Sequence, residues 1–115
     1  MAEHFDESEL LSRVDNDTAF LAESVQMLIA DTPAMLEDLR RALAAGDAPT
    51  VARHAHTIKG MVSNFCAAPA QDCALAIERM GKSANLSGAA PAVEELQEHL
   101  SALTDELARF VQSRT

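Results

Sequence analysis

The sequence predicts an all-α fold, an antiparallel up-and-down four-helix bundle with an additional short N-terminal helix. Apolar residues recur at three- and four-residue spacings through almost the whole chain, the pattern of helices that bury one face. Hydrophobic residues make up 48% of the 115 residues and aromatic residues only 3%, so Leu, Ala and other strong helix formers must build the core. The connections between the predicted helices are short, which makes neighbouring helices antiparallel.

The first half of the chain predicts two helices. A short helix covers about Glu7–Val14, after a polar start, and Asp15-Asn16-Asp17 then supplies a turn and an N-cap. The second helix begins near Asp17 and has an apolar stripe of Phe20, Leu21, Val25, Leu28 and Ile29.

Pro33 interrupts this second helix, because proline lacks the backbone N–H and clashes with the preceding turn. The apolar stripe nevertheless resumes at Leu36, Leu39 and Leu43, which favours one long kinked helix over two separate ones. Gly46 follows where a left-handed C-cap is needed.

The second half predicts three more helices. The third starts around Asp47–Pro49 and runs to about Cys66, and the turn Ala67-Ala68-Pro69 leads into the fourth, about Pro69–Lys82, with Cys73, Ile77 and Met80 inward. After a polar loop, Ser83–Gly88, the last helix covers about Ala89–Val111, with core residues Val93, Leu96, Leu100, Leu103, Leu107 and Phe110. We expect one domain over residues 1–115, with a structured core of about 8–111.

The overall charge narrows the range of partners. A formal charge of −9 argues against nucleic acid, whose phosphates repel an acidic surface. No segment is apolar enough to span a membrane or resembles a signal peptide, and the only cysteines, Cys66 and Cys73, are expected to be reduced, mostly buried thiols. These features favour a cytoplasmic protein.

Two histidines of the third helix have opposite predicted environments. At about 100° per residue, His54 lies beside the apolar arc of Val51, Ile58, Val62 and Phe65. We therefore expect His54 to be a partly buried packing residue with one nitrogen hydrogen-bonded. His56 lies on the opposite, exposed face.

The face around His56 suits phosphoryl chemistry. Lys59 and Gly60 are its neighbours one turn on, and the rest of this face is small residues apart from Arg53. A phosphoryl group on an imidazole nitrogen brings close to two negative charges. A nearby ammonium offsets that charge, and a glycine leaves room for the group and for a donor protein.

This stretch resembles the histidine-containing phosphotransfer (HPt) domains of multistep two-component phosphorelays. Their motif is approximately H-x-[LI]-K-G, here His56-Thr57-Ile58-Lys59-Gly60 followed by Ser63-Asn64. The preceding "LRRALAAGDAPTVARHA" resembles the family's helix, Gly-Asp turn and helix start, and "CALAIERM", with Ile77-Glu78, resembles its next helix. The similarity runs from about Ser8 to Val111.

The resemblance implies specific roles. His56 is the phosphorylated residue, Lys59 stabilises the phosphoryl charge, and Gly60 keeps the face open; Glu78 is placed to support the site, and we expect it to pair with Lys59. A docking surface for the partner is expected to contain Ala52, Arg53, Met61, Ser63 and Ala67. Met61, Val62 and Cys66 depart from the family pattern, Cys66 standing where glycine is frequent.

The implied activity is that of a phosphohistidine carrier and not an autonomous enzyme. The chain has no Gly-rich Lys nucleotide loop. We expect response-regulator receiver domains and a hybrid histidine kinase as partners, a monomeric chain, no cofactor of its own, and Mg²⁺ supplied by the receiver. Neutral imidazole can attack without a general base.

Other functions are weighed against this one. A carboxylate-bridged metal bundle would use Glu-x-x-His motifs, which are absent from the sequence, although Glu95 and His99 could chelate a surface metal. Thiol catalysis by Cys66 has no supporting spacing, and a dimerising histidine-kinase domain would carry an acidic residue in place of Thr57. A helical interaction module without chemistry and a metal-binding bundle remain the alternatives.

Overall fold

The computed structural model describes residues 3–114, and its regular elements in this range are five α-helices. Helix α2 packs on α3 and α5, and α4 packs on the same two helices, so the four long helices form a closed ring. Short connections make successive helices antiparallel. The predicted all-α bundle with a short N-terminal helix is confirmed. The helices are α1 (Glu7–Arg13), α2 (Thr18–Ala44), α3 (Ala48–Ser63), α4 (Ala68–Lys82) and α5 (Ala89–Gln112).

The first three helices begin at aspartate caps. The side chains of Asp6, Asp17 and Asp47 each accept a hydrogen bond from the backbone N–H three residues later, at 3.0, 3.0 and 3.3 Å. Such a bond satisfies one of the N–H groups that a helix start leaves unpaired. Gly46, directly before the third cap, has a φ of +66°, which confirms the predicted left-handed position.

Helix α2 continues through Pro33, as predicted. Pro33 lies on the exposed side, where water can replace the backbone hydrogen bond that proline removes. The prediction that Phe20 and Ile29 belong to the buried apolar stripe is wrong, since they are 55% and 42% exposed. Each is adjacent in sequence to a buried leucine, Leu21 or Leu28, and therefore lies beside the buried face of the helix. Thr32 occupies a core position, and its hydroxyl donates to the Leu28 carbonyl at 2.6 Å.

Helix α3 ends at Ser63, three residues earlier than predicted. Cys66 lies past the helix end and not on its flank, with a left-handed φ of +57°. This conformation favours glycine, which explains why glycine is frequent here in the family that the motif resembles. The Cys66 carbonyl accepts the backbone N–H of Asp6 at 3.0 Å, so the turn also holds the N-terminal segment.

Both cysteines are free thiols, and both are partly buried. The Cys73 thiol donates to the Ala92 carbonyl at 3.4 Å, and burial raises the pKa of Cys73 to about 11. Cys73 and Met80 were predicted to point inward and instead lie at the border of the core, whereas Ile77 is fully buried.

Packing begins earlier in the chain than the predicted start near residue 8. The Phe5 ring is 6% exposed and meets the Phe110 ring edge-on, with centroids 5.3 Å apart. The Glu106 carboxylate accepts the backbone N–H groups of Glu3 and His4, both at 3.0 Å. The prediction of one domain also includes residues 1, 2 and 115, which lie outside the described residues.

Helices α3 and α4 approach each other closely at Gly81. A Cβ at this position would lie 2.6 Å from the backbone nitrogen of Ala52 and 2.8 Å from the Ala48 carbonyl oxygen. Glycine therefore allows α4 to lie directly against the backbone of α3.

None of the helices within residues 3–114 combines the length and apolar composition that crossing a bilayer requires.

Replacing Gly81 by alanine should destabilise the protein. Alanine is the better helix former by about 1 kcal/mol, but its methyl group would have to push α4 away from α3. We expect Gly81→Ala to lower the free energy of unfolding by roughly 1–3 kcal/mol, measured by urea denaturation.

The matched control is Gly60→Ala, also within a helix. Nothing lies within 4 Å of a Cβ built on Gly60, so helix propensity alone should act and stability should rise by about 0.5–1 kcal/mol. Equal effects of the two substitutions would contradict the packing role of Gly81.

Candidate functional site

The two histidines of α3 lie in the environments that the helical wheel predicts. The side chain of His56 is 66% exposed, and His54 is partly buried. The hydrogen bond predicted for one nitrogen of His54 is not found among the described residues. His56, in contrast, has a defined partner across the helix interface, the Glu78 carboxylate of α4.

Glu78 is the central charged residue of the site. Its side chain is only 4% exposed, yet the carboxylate contacts three nitrogen-bearing side chains. Oε1 lies 2.7 Å from Nζ of Lys59. Oε2 lies 3.1 Å from Nδ1 of His56 and 3.0 Å from Nζ of Lys82. The expected pairing of Glu78 with Lys59 is present.

The two lysines keep this carboxylate ionised. Hydrogen bonds from Lys59 and then Lys82 lower the pKa of Glu78 from 4.5 to about 2, although burial acts in the opposite direction. Glu78 is therefore negatively charged at neutral pH and can only accept hydrogen bonds.

The state of Glu78 determines the tautomer of His56. An ionised carboxylate at 3.1 Å from Nδ1 requires Nδ1 to carry the proton. In the neutral ring, Nε2 then holds the lone pair, and Nε2 has no hydrogen-bond partner within residues 3–114. The exposed imidazole thus offers one nitrogen as a nucleophile.

Helix geometry and close packing together assemble the cluster. Lys59 follows His56 by one turn of α3, and Lys82 follows Glu78 by one turn of α4. The contact at Gly81 holds the two helices close enough for side chains of both to meet. The sequence analysis missed Lys82, although its four-residue spacing after Glu78 is a recognised signal for an ion pair.

Gly60 lies open on the surface. Apart from the adjoining backbone of α3, no atom of residues 3–114 lies within 4 Å of a Cβ built there, so the fold itself does not require glycine at this position. Space above this part of α3 is available to another molecule, which agrees with the role that the family resemblance implies.

The expected docking residues differ in accessibility. Arg53 is exposed, while Ala52, Met61 and Ser63 are partly buried. Ala67 is 0% exposed, and its assignment to the docking surface is wrong. The helical wheel placed Ala67 on the His56 face, but α3 ends at Ser63 and the following turn directs Ala67 into the core.

Met61 lines a groove between α3 and the α1–α2 pair. The groove has a volume of about 420 Å³, and its rim carries two exposed apolar side chains, Phe20 and Met27, which are 55% and 66% exposed. Arg13 and Asn64 add polar groups at its edge.

In the part of the chain that the structure describes, no group of three or more His, Cys, Asp or Glu side chains is arranged to hold a metal ion.

The ion pairs of Glu78 should make stability depend on acid pH. Folding lowers the pKa of Glu78 from 4.5 to about 2, so the contribution is complete above about 4.5 and is lost as the pH falls toward 2. We expect Glu78→Gln to be less stable than wild type at about pH 7, with the difference shrinking below about pH 4.5 in urea denaturation. The exposed Glu98→Gln is the control, and a difference for Glu78→Gln that stays constant down to about pH 3 would contradict the ion-pair assignment.

Comparison with known proteins relates this geometry to a family. The sequence profile of the Hpt domain matches residues 23–106. No curated protein matches the chain significantly in sequence.

Solved structures share the fold. The chain is similar to histidine-containing phosphotransfer protein B (HptB) from Pseudomonas aeruginosa PAO1, with a TM-score of 0.90 and 23% identity over 98% of both chains. It is also similar to the Hpt domain of a sensor hybrid histidine kinase from Shewanella, with a TM-score of 0.75 and 21% identity over 95% of this chain and 94% of that chain. The profile covers most of the chain, including the whole cluster around His56, and the chain therefore belongs to the Hpt domain family.

Proposed function

We propose that His56 is the residue through which this Hpt domain carries a phosphoryl group between receiver domains. Histidine phosphotransfer in a relay is the function of the family to which the chain belongs. The observation that supports His56 is its geometry: an exposed ring whose Nδ1 is held by Glu78, while Nε2 has no partner among residues 3–114.

Phosphorylation of His56 requires little chemistry from this chain. The lone pair of Nε2 attacks the phosphorus of an aspartyl phosphate, the bond between phosphorus and the aspartate oxygen breaks, and its electron pair remains on the carboxylate. The neutral ring attacks through the lone pair that Nε2 already holds, so no base has to remove a proton from the nucleophile. Charge neutralisation and positioning carry the reaction.

Lys59 is proposed to neutralise the incoming charge. Its ammonium lies one turn from His56 and is held by Glu78, so it is already positioned when the phosphoryl group arrives. The open surface at Gly60 admits the group and its donor. The carrier itself is proposed to lack kinase activity, and the receiver domain is expected to supply Mg²⁺ and the acidic pocket.

The receiver is proposed to dock over the His56 face of α3. Arg53 and Lys59 form a positive spot on a chain whose net charge is −9, which complements an acidic receiver pocket. Met61 and the adjoining groove with exposed Phe20 and Met27 add apolar contact area. We propose that the chain acts as a monomer, with this face free.

Phosphotransfer to substituted proteins tests the role of His56. We expect a phosphorylated receiver domain to label wild type and His54→Gln, and to leave His56→Gln unlabelled. The label should be stable in base and labile in acid, as expected of a phosphorus–nitrogen bond. His54→Gln serves as the matched control on the same helix, and label retained in His56→Gln would overturn the assignment.

The charge at Arg53 should affect association. We expect Arg53→Glu to slow binding to the receiver by roughly tenfold at low salt, and the difference from wild type to diminish as ionic strength rises. Arg109→Glu, an equal change of charge at an exposed site on α5, should have little effect. Association rates that are insensitive to both salt and Arg53→Glu would contradict the proposed docking face.

A further inference from the structure

The inference concerns the proton on Nδ1 of His56 after phosphorylation, and it rests on the proposed function. The neutral ring already carries this proton, because Nδ1 faces the ionised carboxylate of Glu78 at 3.1 Å. Once Nε2 has attacked phosphorus, the ring bears both the phosphoryl group and the Nδ1 proton. It is then a cation, and it can lose the proton to solvent.

The charged groups around the ring determine whether the proton stays. Glu78 lies against Nδ1 and favours the protonated ring, as does the phosphoryl group with its two negative charges. Lys59 and Lys82 oppose protonation, and their ammonium groups lie 2.7 and 3.0 Å from the same carboxylate. Glu78, in contrast to both lysines, contacts Nδ1 directly, at 3.1 Å. Arg53, one turn earlier on α3, is a further cation on this face and also opposes protonation.

The position of the proton controls the lability of the phosphorus–nitrogen bond. When that bond breaks, its electron pair stays on Nε2. If Nδ1 is protonated, the leaving group is neutral imidazole; if it is not, the leaving group is the far more basic imidazolate. Transfer to a carboxylate yields an acyl phosphate and neutral histidine, and transfer to water yields dihydrogen phosphate and the same histidine.

We propose that Glu78 is a positioning residue that retains the Nδ1 proton on phosphorylated His56, so that the ring leaves as neutral imidazole and the carrier discharges rapidly up to mildly alkaline pH. The proton then remains on Nδ1 through loading and discharge. The buried carboxylate sets how long the phosphoryl group is held, in addition to orienting the ring.

Hydrolysis of the loaded protein tests this proposal without a receiver. The 115-residue chain is loaded with phosphoramidate, a small phosphoryl donor, and the decay of phosphohistidine is followed by phosphorus NMR from about pH 6 to pH 10. The decay rate falls where Nδ1 loses its proton. Glu78→Gln is the informative variant, because the amide oxygen can still accept from Nδ1 while the negative charge is removed.

We expect the midpoint of this fall to lie at least about one pH unit higher in wild type than in Glu78→Gln. On the alkaline side of the variant's midpoint, wild type should therefore discharge about tenfold faster. Glu98→Gln, which removes an exposed charge on α5, should retain the wild-type profile. Coincident midpoints, or faster discharge of Glu78→Gln in alkali, would overturn the proposal.

A second measurement needs only the wild type, and it remains available if Glu78→Gln does not fold. The nitrogen-15 shift of Nδ1 in phosphorylated His56 reports directly whether the proton is present. We expect the shift of a protonated nitrogen to persist at about pH 8, above the ordinary range of histidine. Loss of the Nδ1 proton at a pH near the ordinary pKa of histidine would refute the proposal that Glu78 retains it.

The two proposals fail in different ways. Phosphoramidate label that persists in His56→Gln would refute the phosphorylation site itself. Label confined to His56, with the same pH midpoint in wild type and Glu78→Gln, would refute only the role of Glu78 in retaining the proton.

Discussion

The structure of the site depends on one carboxylate shared between two helices. Glu78 of α4 reaches His56 and Lys59 of α3, and it also binds Lys82 of its own helix. Without the Glu78 carboxylate, Nδ1 of His56 would lose its hydrogen-bond partner, and the ammonium groups of Lys59 and Lys82 would lose the anion that positions them. The contact at Gly81 makes the arrangement possible, because it brings the backbone of α4 against that of α3.

A buried carboxylate is usually unfavourable, because leaving water costs more than one ion pair returns. At Glu78, hydrogen bonds from two lysines outweigh this penalty. Two ammonium groups and one imidazole nitrogen contact its oxygens, and the lysine hydrogen bonds lower the pKa of Glu78 to about 2. The same arrangement leaves the His56 ring exposed. Glu78 orients the ring through Nδ1, and the exposed part of the ring remains accessible to a partner.

The fold tolerates wide sequence change, whereas the site depends on few residues. The two similar structures share this architecture at 23% and 21% identity. A helical bundle needs apolar volume at the right period, which many combinations of Leu, Ile, Val and Ala supply. The site instead needs a nucleophile, a cation and open space at fixed spacing on one helix, which only particular residues provide.

Local periodicity accounts for what the sequence by itself determined. The helices and the grouping of His56, Lys59 and Gly60 on one exposed face follow from a repeat of 3.6 residues, which is readable within a few turns. The caps at Asp17 and Asp47 follow from the type of residue that stands before each helix. The left-handed Cys66, the burial of Ala67 and the packing of Phe5 on Phe110 were decided by tertiary structure. So was the contact of Glu78 with His56, which joins residues 22 positions apart. Such contacts depend on how closely two helices approach and on how far one is shifted along the other. A pattern that repeats along one helix contains no information on either quantity.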